Sequence, residues 1–352
     1  MKTELAQHGT RVRAVDYAKS FAIFFVLLIH ASSDVLRYGW IGSFGWLSGL
    51  AWGCIARGAV SLFLLCSGAL LLDEARPLTV RHLWRRSIPH LLLALFFWAA
   101  VYQALRLFAD GWPSADAWRA AADDLLHGRH EGHLYYLAIM LLVYAALPAT
   151  RSFAAHAGRD TLRYALLFWA VTGVLLPTAR RFGAMDAFGE ILQQWPLPLA
   201  WSAIGCTVLG HALRRRPLTV RAGAALFCGG FLLCFGGTWL LSLHAGTLKT
   251  ALLEGLSPGP CMMAAGLFSL CCRAAERTRA RLDRAAERLS QASFCIYLSH
   301  IAVLRGLLRA GVTASRFAPL VSVPAVALLC GAGSMLLYCV LSSIPGVRRW
   351  LI

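Results

Sequence analysis

DYAKSFAIFFVLLIHA, residues 16–31, places Lys19 and His30 at the two ends of an apolar run ten residues long. Continued to about residue 36, the run is long enough to cross a hydrocarbon core of about 30 Å, which takes a helix of about 20 residues. A lipid-facing helix has no use for either base. Eleven positions at about 100° each bring Lys19 and His30 to within about 20° of one another around the helix. Asp16 lies about 60° from Lys19 and Asp34 about 40° from His30, so all four side chains share one stripe. At about 1.5 Å of rise per residue, Lys19 and His30 differ in depth by about 16 Å. The opening helix therefore carries a polar seam running through the membrane.

The rest of the chain supports a membrane setting. Of 352 residues, 58% are hydrophobic and 14% charged, against about 25% charged in an ordinary soluble domain; the mean hydropathy is +0.61. About ten apolar spans can be drawn, at 18–36, 57–72, 88–108, 132–148, 161–178, 196–213, 221–243, 259–272, 292–310 and 317–342. The fold expected is all-α: a polytopic integral membrane protein in one domain over 1–352, with no appended soluble domain. The first apolar run is too long for a signal peptide, and no small-residue cleavage site follows it.

The net charge of +17 invites a nucleic-acid partner, but its placement follows the positive-inside rule. With a cytoplasmic N-terminus, alternate segments hold twenty-two Lys and Arg on the inner side and seven on the outer. Both termini are then cytoplasmic. The basic loops also lack the interleaved aromatics that stack on bases, so no nucleic acid is expected. The eleven cysteines form no CxxC pair and mostly sit in apolar runs, where a free thiol behaves as a small hydrophobe. No metal site is expected.

Outside the spans, PSADAWRAAADDLLHG reads as an interfacial helix with Ser114 as its N-cap. GSFGWLSGLAWGCIA, before Arg57, reads as an interfacial or re-entrant segment. The basic stretch CCRAAERTRARLDRAAERLSQ reads as a helix for anionic head groups or an anionic ligand.

Lys19 fits either a snorkelling cation or an anion-binding group at the cytoplasmic mouth. His30 is too deep to snorkel. An ionisable residue at such depth costs about 2.5–3.5 kcal/mol on insertion scales and usually faces a cavity or a partner. Asp34, one turn outward, is placed to fix the His30 tautomer or to sit at the interface. Arg57 starts the second expected span, as a head-group anchor or as a cation for an oxyanion or acceptor. Ser67–Gly68 fits close helix packing better than a nucleophile. Ser293, Tyr297 and His300 fall on one face of the ninth span, and Arg305 and Arg309 point to the outer head groups.

Asp16-x-x-Lys19, ten residues and then His30 resembles the opening motif of the membrane acyltransferase 3 family. Arg57 followed by GAVSLFLLCSGALLL, HLYYL at 133–137 and SFCIYLSH at 293–300 are similar to its later signatures, in the same order. Within the family the chain looks like the stand-alone type that O-acetylates enterobacterial common antigen. Lys19 stands where Arg is commoner, and Cys295 where Gly is usual.

The resemblance implies an O-acetyltransferase of the bacterial inner membrane, moving an acetyl group from cytoplasmic acetyl-CoA to a hydroxyl of a surface glycan or lipid-linked sugar. No permanently bound cofactor is implied. His30 would act as base or transient acyl carrier, with Lys19, Asp16 and Asp34 in the same seam. Lys19 and Ser67 would hold the donor, while Arg57, Glu131, His133, Tyr297 and His300 would hold the acceptor or the transition state. The same seam also suits a permeation path, so a transporter or flippase for a glycan or small polar solute is the alternative.

Overall fold

The computed structural model describes residues 11–109, 111–129, 131–182, 199–277 and 279–352. Lys2, counted above with the inner charges, and the first residues of the expected span 196–213 lie outside them. The described chain is all-helical. Its helices are α1 Arg13–Tyr38, α2 Phe44–Ala56 and α3 Ala59–Leu71, α4 Val80–Leu107, α5 Ala115–Leu126, α6 Tyr135–His156, and α7 Arg159–Arg180. They continue with α8 Leu199–Arg215, α9 Val220–Ala245, α10 Pro258–Ala274, α11 Ala280–Arg309, α12 Pro319–Ser342 and the short α13 Pro345–Trp350. Among the described residues nine stretches are long and apolar enough to span a bilayer, α2 and α3 counting as one. The 17 residues of α8 make a further apolar helix in the place of the sixth expected span. The protein is a polytopic membrane protein.

The opening helix is the hub. α1 packs against α2, α3, α10, α11 and α12, so residues on most of its faces, including Ala18, Ala22, Ile23 and Leu28, are buried in protein rather than lipid. Helices packed in a bilayer gain little from apolar burial and rely on close contact at small residues. Two crossings show it. A Cβ added to Gly68 of α3 would lie 1.8 Å from the Thr207 carbonyl oxygen of α8, and one added to Gly210 would lie 2.1 Å from that of Leu65. Along α9 and α10 the same close approach joins Gly230 to Gly259 and Gly223 to Gly266. The small pair Ser67–Gly68 is thus a packing device, with the Ser67 hydroxyl donating to the Phe63 carbonyl 3.0 Å away.

The segment before Arg57 is neither interfacial nor a re-entrant loop. α2 runs antiparallel to α1, with Gly49 against Val35 and Gly53 against Ser32, and Trp46 is 1% exposed with its indole N–H on the Leu36 carbonyl at 3.2 Å. α2 and α3 are the two halves of one span, Phe44–Leu71, broken at Arg57–Gly58. That register places Arg57 at the depth of His30 instead of at the membrane surface, which removes its reading as a head-group anchor.

Other expectations divide. α5 forms, capped by Ser114, whose side chain accepts from the Ala117 amide at 3.2 Å. The basic stretch after Cys272 does not lie apart on the membrane. From Ala280 it is the start of α11, tied to the N-terminal segment by Arg11–Glu287 at 3.0 Å, Arg13–Asp283 at 3.6 Å and a Tyr17–Asp283 hydrogen bond. All eleven cysteines are free thiols.

Candidate active site

Three cavities follow one another through the bundle. The first, about 280 Å³, is lined by His30 and Ile29 of α1, Arg57 and Val60 at the α2–α3 break, His133, Tyr135, Tyr136, Tyr297 and the loop Thr250–Gly255. The second, about 250 Å³, is lined by Lys19, Ser67, His90, Met140, Tyr144 and Ser293. These two share Phe63, Tyr136 and Tyr297, whose rings lie 6.0 Å (Phe63–Tyr136) and 5.6 Å (Tyr136–Tyr297) apart. The third, about 260 Å³, shares His90, Leu91 and Tyr144 with the second and reaches Arg86, Arg349 and Trp350. Arg86 and Arg349 are exposed at the arginine-rich end, and Glu254 is exposed at the other. Lys19 and His30 of α1 therefore line a route with one mouth at each end and an aromatic constriction between.

His30 meets partners that its own helix does not supply. Its ring lies 4.8 Å from that of His300, and His300 lies 5.1 Å from His133. His300 is fully buried, with Nδ1 2.7 Å from the Tyr297 carbonyl of its own helix. An Nδ1–H donated there leaves Nε2 as a lone pair. That atom, Nε2 of His133 and Nε of Arg57 are buried and make no hydrogen bond with the described residues. Buried polar groups normally find partners, so three orphans around one cavity mark a place built for something other than packing. Tyr297 is fixed by its hydroxyl, which donates to the His133 carbonyl, and Tyr102 donates to the Leu298 carbonyl at 2.7 Å. The break at Arg57–Gly58 also puts the first turn of α3, whose N–H groups have no intrahelical acceptors, beside the same cavity.

Lys19, His30, Arg57, Ser67, His133 and Tyr297 all line the route, and His300 backs His30. Lys19 has no ion-pair partner among the described residues. Asp16 is elsewhere: Arg11 holds both its oxygens, at 2.7 and 3.1 Å, so its carboxylate braces the N-terminal segment. Asp34 lines none of these cavities and makes no hydrogen bond or ion pair with the described residues. The neighbours of His30 are imidazoles, not that carboxylate.

Glu131 sits beyond the route in an ion network, with Arg305 at 2.9 Å from both oxygens and Arg106 at 3.1 Å. Burial pushes its carboxyl up, but the two guanidiniums outweigh this and hold it below the ordinary carboxylate range. Arg305 is paired there while still exposed, its guanidinium also lying 5.9 Å over the Tyr102 ring. Phe63 and Tyr136 fall inside two of the quoted signatures without being singled out there, and His90, Tyr144 and the loop Thr250–Gly255 carry no local pattern that sets them apart from core residues.

Such a site can hold a polyanion at one end, admit an extended arm past the constriction, and offer an imidazole and a guanidinium to a reacting carbonyl at the other. Residues 12–343 match the family model of the acyltransferase domain, type 3. No curated protein and no solved structure matches the chain. The match covers nearly the whole length and takes in every lining residue of the first and second cavities, and the chain belongs to the membrane acyltransferase 3 family.

Proposed function

We propose that this acyltransferase takes an acetyl group from acetyl-CoA on the cytoplasmic side of a bacterial inner membrane and transfers it to a hydroxyl of a cell-surface glycan or lipid-linked sugar. One observation carries the reading: the cavities lead from exposed arginines, past Lys19, to His30 and Arg57. On this reading the arginine-rich loops and both termini face the cytoplasm.

Coenzyme A is a polyanion with a long uncharged pantetheine arm, and the charge along the route fits that order. Arg86, Arg349 and Lys19 attract the phosphates. The arm passes Ser67 and Ser293 to the constriction of Phe63, Tyr136 and Tyr297, where the thioester meets His30. An acceptor entering past Glu254 brings its hydroxyl to the same imidazole. His30 takes the hydroxyl proton as the oxygen attacks the thioester carbonyl. Arg57, with no acidic partner in the cavity wall nearer than the Glu254 that pairs with Arg181 at 3.1 Å, stabilises the oxyanion. Collapse breaks the C–S bond, and the imidazolium passes its proton to the departing sulfur, which restores neutral His30. Ester and free CoA are the products.

The test uses purified protein in liposomes with radiolabelled acetyl-CoA and a lipid-linked sugar acceptor. Free CoA and labelled acceptor are expected in equal amounts, and His30→Ala abolishes both. Solute flux without thioester consumption would support the transporter reading instead.

A further inference from the structure

Residues 344–352 lie beyond the stretch matched by the family model, yet they build part of the route. The α13 tail is tied down by Trp98 of α4, whose indole N–H donates to the Leu351 carbonyl at 3.1 Å. Its Arg349 guanidinium lies 5.3 Å over the Trp350 ring, a contact that orders the indole. Arg349 and Trp350 form one wall of the third cavity, with Arg86, Ser87 and His90 of α4 opposite. No carboxylate lines this cavity, and neither Arg86 nor Arg349 has an ion-pair partner among the described residues. Independently, α4 makes a wider π-turn at Leu83–Ser87, which holds both Arg86 and Ser87. Such turns break the α-helical register and recur at functional sites. The cavity of about 260 Å³ is just short of the about 300 Å³ of a small-ligand site, and it continues into the second.

We propose that the tail clamps the nucleotide end of the acyl donor: Trp350 stacks on the purine, and Arg86 and Arg349 hold its phosphates. This rests on the acyl-CoA reading given above and adds to it which residues select the donor. Two guanidiniums suit phosphate oxygens, and an indole offers a base a flat apolar face. An anionic lipid headgroup presents the same phosphate chemistry but gives the indole nothing to stack on, so the nucleotide is the better fit.

The test uses the full chain in liposomes. Acyl transfer from acetyl-CoA is compared in wild type, Trp350→Ala, Trp350→Phe and Arg349→Gln, with competition by adenosine 3′,5′-bisphosphate and by inorganic phosphate. Trp350→Ala is expected to raise the donor KM about tenfold, equivalent to about 1.4 kcal/mol, with kcat within about twofold. Trp350→Phe should restore most of the loss, which a merely structural role would not require. Arg349→Gln should weaken adenosine 3′,5′-bisphosphate more than inorganic phosphate. Unchanged KM in both Trp350→Ala and Arg349→Gln, in a wild type that turns over, overturns the clamp and leaves the acyltransferase reading standing. So does a KM that follows the anionic-lipid content of the liposomes and ignores the competitors. A wild type that consumes no acyl-CoA at all would sink the reading beneath it instead.

Discussion

Gly68→Ala isolates what the Ser67–Gly68 pair does. The new Cβ would sit 1.8 Å from the Thr207 carbonyl oxygen, where ordinary contact begins at 3.4 Å. About 1.6 Å of separation has to open between α3 and α8, and the obstacle is backbone that cannot rotate aside. Overpacking typically costs about 1–3 kcal/mol, and this site belongs at the upper end. The displacement also moves Phe63 and Ser67, which α3 presents to the route. Misplacing reactive groups by about 1 Å costs about 100-fold in rate. Thermal melting in detergent and acyl transfer per folded molecule should both fall in Gly68→Ala. Ser67→Ala should keep most of its activity, because that hydroxyl is committed to the Phe63 carbonyl. Gly236→Ala is the control, since nothing lies within 4 Å of its added Cβ; it should melt no lower than wild type. A Gly68→Ala protein matching wild type in melting and turnover would refute the close crossing, and an equally damaged Gly236→Ala would refute its specificity.

Four further outcomes follow from the site. Lys19→Arg should retain turnover and Lys19→Ala should raise the donor KM, measured by CoA release; complete loss in Lys19→Arg would show that shape rather than charge matters there. Arg57→Gln should lower kcat by about 100- to 1,000-fold, the usual effect of removing one oxyanion donor, with donor KM little changed. Asp34→Asn should leave the pH profile of transfer unchanged, because that carboxylate makes no contact with His30; a displaced profile would restore it as an orienting group. Glu131 is held below its ordinary range by Arg305 and Arg106, so its contribution to stability is present above the unfolded carboxyl value and fades as pH falls through the folded one. Glu131→Gln should therefore melt below wild type at neutral pH, with the gap closing toward about pH 4 or lower; a constant gap would mean the ion pairs are not its cause.

Much of this was legible in the sequence because a helix preserves angular order. Lys19 and His30 fall on one stripe by counting residues, and both line the route. The same counting misled for Asp16 and Asp34. Sharing a stripe fixes direction but not partner, and Arg11, five residues before Asp16 and just ahead of α1, claims that carboxylate in a contact no periodicity encodes. The histidines around His30 come from α11 and from the turn before α6, so their clustering is a property of tertiary packing. Arg57 was misplaced because a span broken in its middle looks, in hydropathy, like a short span with a re-entrant neighbour. Phe63, Tyr136 and Tyr144 are aromatics in apolar runs, indistinguishable by composition from core until the cavities show which way they face.

The most direct measurement confines donor and acceptor to opposite faces of sealed liposomes holding the protein in one orientation. Acetyl-CoA is supplied only at the arginine-rich face and the sugar acceptor only at the other. The route through Lys19, the aromatic constriction and His30 predicts labelled acceptor and free CoA, each on its own side, with no donor crossing. Label on the acceptor only when both reactants share a face, or undiminished transfer by His30→Ala, would contradict it.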